Sequence, residues 1–212
     1  YLSSPVNGAT ANVFDVASLT NKITYYDETV PGYVTQITDN STTLAPGRGY
    51  VTYIGGADAR YTFTGGTLNN GEITITPTRT GTTAAKRGFN LVGNPYPSYL
   101  DWNSVALTKT KLRSTIWYRT LLKDATAGAM TFDTFDGTTG TTNGQNGEVS
   151  QFIPPMQAFW VKVNADGDVA SLVFRNAARL HKDQSLETNR LRAPSQATEL
   201  LPIVRLKVSN GI

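Results

Sequence analysis

Gly49-Tyr50-Val51-Thr52-Tyr53-Ile54 is a run of β-branched and aromatic residues that stops at Gly55-Gly56. That composition and boundary read as a strand. Outward from it the same style recurs. Ile23 to Tyr26 and Tyr33 to Ile37 are short strands around Pro31-Gly32. Arg60-Tyr61-Thr62-Phe63-Thr64 follows and ends at Gly65-Gly66. Asn69-Asn70-Gly71 reads as a hairpin turn, because Asn and Gly tolerate positive φ. Glu72-Ile73-Thr74-Ile75-Thr76 alternates cleanly, and Pro77 ends it. Further on, Gly88 to Gly93, Ile116 to Thr120, Met130 to Phe135, Ala158 to Val163 and Ser171 to Arg175 are strands by the same reading. Helix signals are scarce: Asp101 to Leu107, capped by Asp101, and Asn12 to Leu19 are the two short candidates.

Composition agrees. Thr fills 31 of 212 positions, with 19 Gly and 10 Pro, while charged residues are only 17% against about 25% in ordinary domains. Thr is stiff at χ1 and suits a half-wet strand face. The balance excludes a helical bundle, a coiled coil and a disordered chain. With 19 basic and 16 acidic residues the net charge is +3, and no block of basic residues marks a nucleic-acid partner. Zero Cys excludes disulfides and thiolate chemistry. No apolar run of membrane-spanning length exists. Tyr1 to Val6 already reads as a strand, so the expectation is a fragment or processed form.

The two halves look alike. Leu44-Ala45-Pro46-Gly47-Arg48-Gly49-Tyr50-Val51 matches Ile153-Pro154-Pro155-Met156-Gln157-Ala158-Phe159-Trp160. Leu2-Ser3-Ser4-Pro5 matches Val92-Gly93-Asn94-Pro95, Thr24-Tyr25-Tyr26 matches Ile116-Trp117-Tyr118, and Tyr61-Thr62-Phe63 matches Leu172-Val173-Phe174. The collinear order points to an internal repeat. The expected fold is therefore all-β, a β-sandwich with a jelly-roll-like form open to it. It has two similar halves, about residues 1–80 and 88–181, and one or two short helices. Each half has an apolar face it must bury, so the halves should close over a shared core. Two independent modules are the alternative. Small Gly49 and Ala158, each before an aromatic, would admit a close neighbour. Residues 182–200 read as a linker. Residues 201–212 read as the first strand of a following, truncated domain, with Ile203 to Val208 expected to pair with a sheet edge or a partner.

Gly88-Phe89-Asn90-Leu91-Val92-Gly93-Asn94-Pro95-Tyr96-Pro97-Ser98-Tyr99-Leu100-Asp101-Trp102 resembles a segment common in large secreted surface proteins of Bacteroidota. Ile153 to Val161, and Phe174 to Arg179 with nearby His181, are similar to further segments of the same proteins. In that family the region precedes a C-terminal type IX secretion sorting domain. The resemblance implies export to the cell surface and an adhesin-like role. It brings no catalytic residues with it.

Four features of the sequence bear on chemistry. The single His181 lies beside Arg179 and Lys182, where like charge disfavours a general base. Asp133, Asp136 and Glu148 are the acids that could form a glycosidase pair, which needs a separation of about 5–10 Å across a cleft. Asn164, Asp166 and Asp168 alternate as oxygen ligands do in a calcium loop, but the Gly and distant Glu of an EF-hand are missing. A hairpin turn with Asp-Gly at its tip is the simpler reading. Among aromatics, Trp102, Trp117 and Trp160 could stack on sugars, although Trp117 and Trp160 suit a core. Tyr96 and Tyr99, flanked by prolines, are the candidates for exposed ligand contacts. The polar loop 136–148 is another contact candidate. Gly55-Gly56 and Gly65-Gly66 are no phosphate loop, since neither leads into Lys-Ser/Thr or a helix. The expected function is a non-catalytic structural or adhesive module, with other surface proteins or glycans as partners and no cofactor beyond candidate calcium. A carbohydrate-binding module and a glycoside hydrolase are the alternatives.

Overall fold

Alternating β-branched and aromatic residues produce short strands in both halves of the described chain. The structure, a computed structural model, describes residues 1–16, 22–29, 34–53, 62–121, 130–143 and 149–181. Among these, the first half supplies β1 (Val6–Asn7), β2 (Lys22–Tyr26), β3 (Val34–Ile37), β4 (Tyr50–Tyr53), β5 (Thr67–Leu68) and β6 (Ile73–Ile75). The second half supplies β7 (Phe89–Gly93), β8 (Tyr99–Asp101), β9 (Thr108–Thr110), β10 (Thr115–Leu121) and β11 (Met130–Asp136). It continues with β12 (Phe152–Ile153), β13 (Ala158–Lys162), β14 (Ser171–Phe174) and β15 (Arg179–Leu180). All their pairings are antiparallel. The architecture is all-β.

The second half is a sandwich. Its four-stranded sheet runs in the order β11-β10-β13-β7. Period-two alternation turns Ile116, Tyr118, Phe135, Phe159 and Val161 inward. They meet Leu100 and Ile153 from the sheet β12-β8-β15, and Leu172 and Phe174 from the sheet β6-β14-β9. Trp102 is fully buried there, and its indole N–H donates to the Ser114 carbonyl at 2.6 Å, so burying the ring strands no donor. The first half carries the sheet β3-β2-β4, whose Ile23, Ile37 and Tyr50 are covered by Ala11, Phe14, Val16 and Leu44.

The two sheets share a pattern of pairing. Ile23 faces Ile37 as Ile116 faces Phe135. Tyr25 faces Tyr50, and Trp117 faces Trp160, which sets Tyr50 equivalent to Phe159 and Tyr25 to Tyr118. The match of Thr24-Tyr25-Tyr26 to Ile116-Trp117-Tyr118 is thus off by one. A one-residue slip exchanges the two faces of a strand, and burial decides the register. Outside the sheets the repetition holds. Val6 N donates to Ser4 Oγ at 3.2 Å, as Tyr96 N does to Asn94 Oδ1 at 3.0 Å. Ala11 N donates to the Thr42 carbonyl at 2.8 Å, and Trp102 N to the Gln151 carbonyl at 2.8 Å.

Among the described residues there are two hydrophobic clusters rather than one core shared equally: the first half's own, and a larger one in the second half that also takes Ile73 and Ile75 of β6. Each sheet finds its own cover: the 3-10 turn Ala11–Phe14 in the first half, and β8, β12 and β14 in the second. The halves are instead joined by backbone pairing. Leu2 bridges to Tyr50 in its own half and to Gln157 in the other, while Val92 pairs with Phe159 in its own half and with Arg48 in the other. Ser3 N donates to the Met156 carbonyl at 2.7 Å, and Gly93 N to the Gly47 carbonyl at 2.9 Å. Ala158 N reaches the Tyr1 carbonyl at 3.4 Å, and Gly49 N the Leu91 carbonyl at 3.1 Å. Each bond in these pairs is the other with the halves exchanged, so the joint is a local pseudo-twofold. Gly49 does admit a close neighbour: a Cβ there would lie 2.5 Å from Leu91 Cγ.

Four local expectations change. Asp101 to Leu107 is a pair of turns, not a helix. Asp101 does accept from Asn103 N at 2.9 Å, but Ser104 Oγ accepts from Ala106 N, and Lys109 Nζ takes the Trp102 carbonyl at 2.6 Å. These local bonds replace the helical ladder. Asn12 to Leu19 yields only the 3-10 turn, ended by left-handed Asp15 at φ 47°; residues 17–19 lie outside the described set. Asn69-Asn70-Gly71 is no hairpin, because β5 pairs with β1 and β6 with β14. The buried Asn69 amide donates to the Ser4 and Pro95 carbonyls, one in each half, so the segment crosses between halves. Thr62 to Thr64 is not a strand, and residues 54–61 lie outside the described set.

Candidate functional site

The joint is not symmetric in its side chains, and on one flank it leaves a cleft of about 240 Å3. Tyr26, Asp27 and Arg48 of the first half form one wall, and Ile75, Thr78 and Asn90 the other. The second wall is fixed by its own bonds. Thr78 N donates to Asn90 Oδ1 at 3.0 Å, and Asn90 Nδ2 returns to the Thr78 carbonyl at 2.8 Å.

Below it lies Glu28, 2% exposed. Its Oε1 accepts from Gly81 N and Gly88 N at 2.9 and 2.8 Å, and its Oε2 from Thr80 N at 2.8 Å and Thr78 Oγ1 at 3.2 Å. Burial pushes this carboxyl upward, but the backbone and hydroxyl donors together outweigh it and hold the pKa below the usual range. Glu28 is therefore a clasp that fastens the connector 78–88 to the end of β2.

Asp27, one residue earlier, faces the cleft. Its Oδ1 accepts from Thr29 Oγ1 at 2.6 Å and Thr29 N at 2.9 Å. These bonds, the hydroxyl first, hold the carboxyl below its ordinary value, and the Arg48 charge adds to them. Among the described bonds, Oδ2 receives none. Arg48 lies over the Tyr25 ring at 4.6 Å and makes no ion pair among the described residues.

The residues singled out from sequence fall elsewhere. Asp166 is held by Arg79 at 2.6 Å and Arg87 at 2.9 Å, while Asp168 caps its own turn through Ala165 N at 2.9 Å and approaches Lys111 at 3.6 Å. Asn164 is exposed in the same turn. Calcium at Asn164, Asp166 and Asp168 would have to displace three cations, and among the described residues no group of three acids or His is placed to hold a metal. Tyr96 is not an exposed contact: it is fully buried, its hydroxyl donates to the Gly71 carbonyl, and Arg179 lies 5.0 Å over its ring. Its flanking prolines fold it inward through the Asn94 turn. Tyr99 is half-buried on β8, opposite Leu180.

Of the acids, the two described ones are each engaged by donors of neighbouring strands and turns. Asp133 is buried and accepts from Thr120 Oγ1 at 2.9 Å. Asp136 accepts from Thr138 N, Thr139 N and the Ser114 and Thr115 hydroxyls. Glu148 lies outside the described residues, as do residues 182–212 with Ile203 to Val208. His181 is exposed directly after β15. Trp117 and Trp160 are half-buried on the outer face of the four-stranded sheet. There Phe89 meets Trp117 at 77° and Tyr26 meets Trp160 at 82°, so rings pack edge to face rather than in a flat row.

Fold and site together define an all-β domain of several antiparallel sheets with a polar cleft at the seam of its repeats. The chain belongs to the family described as a domain of unknown function (DUF8693), whose model matches residues 1–199. No curated protein and no solved structure matches it. Among the described residues no helix is long and apolar enough to cross a membrane.

Proposed function

We propose that the chain is a non-catalytic module of a secreted bacterial cell-surface protein, acting as a structural or adhesive unit. The observation that carries this reading is the joint. Backbone pairing in both directions and the Glu28 clasp make one cohesive body from the two halves, and the carboxylates of Glu28 and Asp166 are committed to holding the connector 78–88, as that of Asp136 is to its own turn. The location rests on the resemblance of residues 88–102, 153–161 and 174–181 to secreted surface proteins that carry a type IX sorting domain. Partners would be other surface proteins or glycans.

Antibodies against residues 1–181 should stain intact cells of the source bacterium, and protease shaving should remove the epitope. Confinement of the epitope to the soluble interior of lysed cells refutes the location. Turnover of any chromogenic glycoside or ester by the purified chain refutes the non-catalytic part. A carbohydrate-binding role is the second reading. The edge-to-face rings give no flat platform for it, and the one observation that favours it is the cleft.

A further inference from the structure

The pseudo-twofold supplies an internal control on the cleft. By the shared strand register Asp27 is equivalent to Thr120, and Tyr26 to Arg119. Arg48 is equivalent to Gln157, since both bridge the partner half at matching positions. In the second half those side chains serve the fold: Thr120 Oγ1 donates to Asp133 at 2.9 Å, and Gln157 Nε2 to the Ala158 carbonyl at 2.7 Å. The same backbone is thus built without a carboxylate and a guanidinium at these two places. In the first half both charges appear, both face the cleft, and neither is spent on an ion pair among the described residues.

We propose that this cleft is a binding site for one neutral sugar ring, with Asp27 Oδ2 accepting from ligand hydroxyls, the Arg48 guanidinium donating to them, and Tyr26 forming the wall beside the ring. The chemistry follows from the pair. A ligand of net charge is opposed by one of the two groups. A zwitterion would have to shed the water around two charges, which is costly. A polyol satisfies an acceptor and a donor at once and carries no charge to desolvate. Size agrees: drug-sized ligands occupy about 300–1,000 Å3, and this cleft of about 240 Å3 suits something smaller. Thr76 and Thr78 add polar surface, and Ile75 and Tyr26 the apolar surface that the C–H face of a sugar needs.

The test is an amide NMR titration with methyl glycosides of glucose, galactose, mannose and N-acetylglucosamine, and with glucuronate and glycine as charged comparisons. At least one neutral glycoside should shift the amides of Thr76, Thr78 and Asn90 saturably. The double variant Asp27→Thr/Arg48→Gln copies the residues of the other half, so it has a folded precedent within the chain. It should stay folded, with a melting temperature within a few degrees of the parent's, and lose at least tenfold in affinity. Val105→Ala, on a fully exposed side chain away from the cleft, should bind as the parent does. No shift with any neutral glycoside overturns the proposal, as does full affinity in the double variant or saturation by glucuronate or glycine alone. Surface labelling reads the proposed location separately, so a failure here leaves that reading standing.

Discussion

Replacing Glu28 by Gln keeps the shape of the side chain and removes its charge. One oxygen becomes an NH2 group. If it stands at Oε1, it points a donor at Gly81 N and Gly88 N, 2.9 and 2.8 Å away. If it stands at Oε2, Thr80 N at 2.8 Å meets a donor and the Thr78 hydroxyl must turn. A buried donor left unsatisfied costs about 1–3 kcal/mol. Two donors set a range of about 2–6 kcal/mol, and about 3 kcal/mol, below its middle, is expected because the amide settles in the less costly orientation. A domain of this size loses about 2–4 °C per kcal/mol, so the melting temperature should fall by about 6–12 °C in calorimetry at neutral pH. Amide exchange should quicken at Gly81 and Gly88 before the sheets open. The pH dependence has a definite sign. The folded pKa of Glu28 is depressed, so its stabilisation is present above the unfolded value and is lost as pH falls through the folded one. The gap between parent and variant should therefore be constant near neutrality and close below about pH 4, the ordinary Glu range. Asp27, Asp39 and Asp136 are also depressed, but they titrate in both proteins and cancel in the difference. A fall of less than about 2 °C, or a gap that widens in acid, would refute the clasp, since either implies that the connector is held without the charge.

Gly93→Ala places a Cβ 2.4 Å from Ser3 Cβ across the joint, and overpacking of this kind costs about 1–3 kcal/mol; adding Ser3→Gly should restore most of the stability, measured by urea denaturation, whereas no rescue would mean the strain lies elsewhere. Asp166→Asn removes an exposed partner of Arg79 and Arg87, so it should cost about 0.5–1 kcal/mol at low salt and almost nothing in about 1 M NaCl. With those cations in place, calcium at about 10 mM, above the weak extracellular range, should leave the melting temperature of the parent unchanged. Tyr96→Ala should cost about 3–5 kcal/mol, the loss of a core ring rather than of a surface contact.

The strands that alternate over four or more residues were legible, because a half-buried sheet writes its period into the side chains. Ile23 to Tyr26, Met130 to Phe135 and Ala158 to Val163 are of this kind. The short ones were not. β8, β12 and β15 have two or three residues each, too few for a period, and they exist because Leu100 and Ile153 complete a core assembled from distant segments. Asn69-Asn70-Gly71 misled for a related reason: its composition suits a hairpin, but a buried Asn amide found carbonyls in both halves and drew the chain across instead. The cleft was hidden for a third reason. Asp27 and Arg48 are ordinary surface charges in sequence, and only the pairing of β2 with β4 and the crossing of residues 75–78 set them around one space. The available signal was the repeat. Aligned in the correct register, it exposes a carboxylate and a guanidinium where the other half has Thr and Gln.

The same comparison constrains what the seam can be for. Four cross-half hydrogen bonds, which form the two bridges, obey the pseudo-twofold, and all of them are made by backbone groups, so they ask little of the side chains they carry. The turn that feeds them shows how far the side chains have diverged: Gly47 at φ 79° has Met156 at φ 61° as its equivalent, a left-handed position that favours Gly and that the second half nevertheless fills with a larger residue. A joint held by main chain leaves its flanks open to change without loss of cohesion. On one flank, Arg119 lies over Phe132 at 4.7 Å and Thr120 is tied to Asp133, so polar groups are turned to packing. On the other flank the equivalent positions carry Tyr26, Asp27 and Arg48 around an open space, with Glu28 securing the connector beneath. Stability is thus served twice by the repeat, and the difference between its copies is concentrated where a ligand could be met.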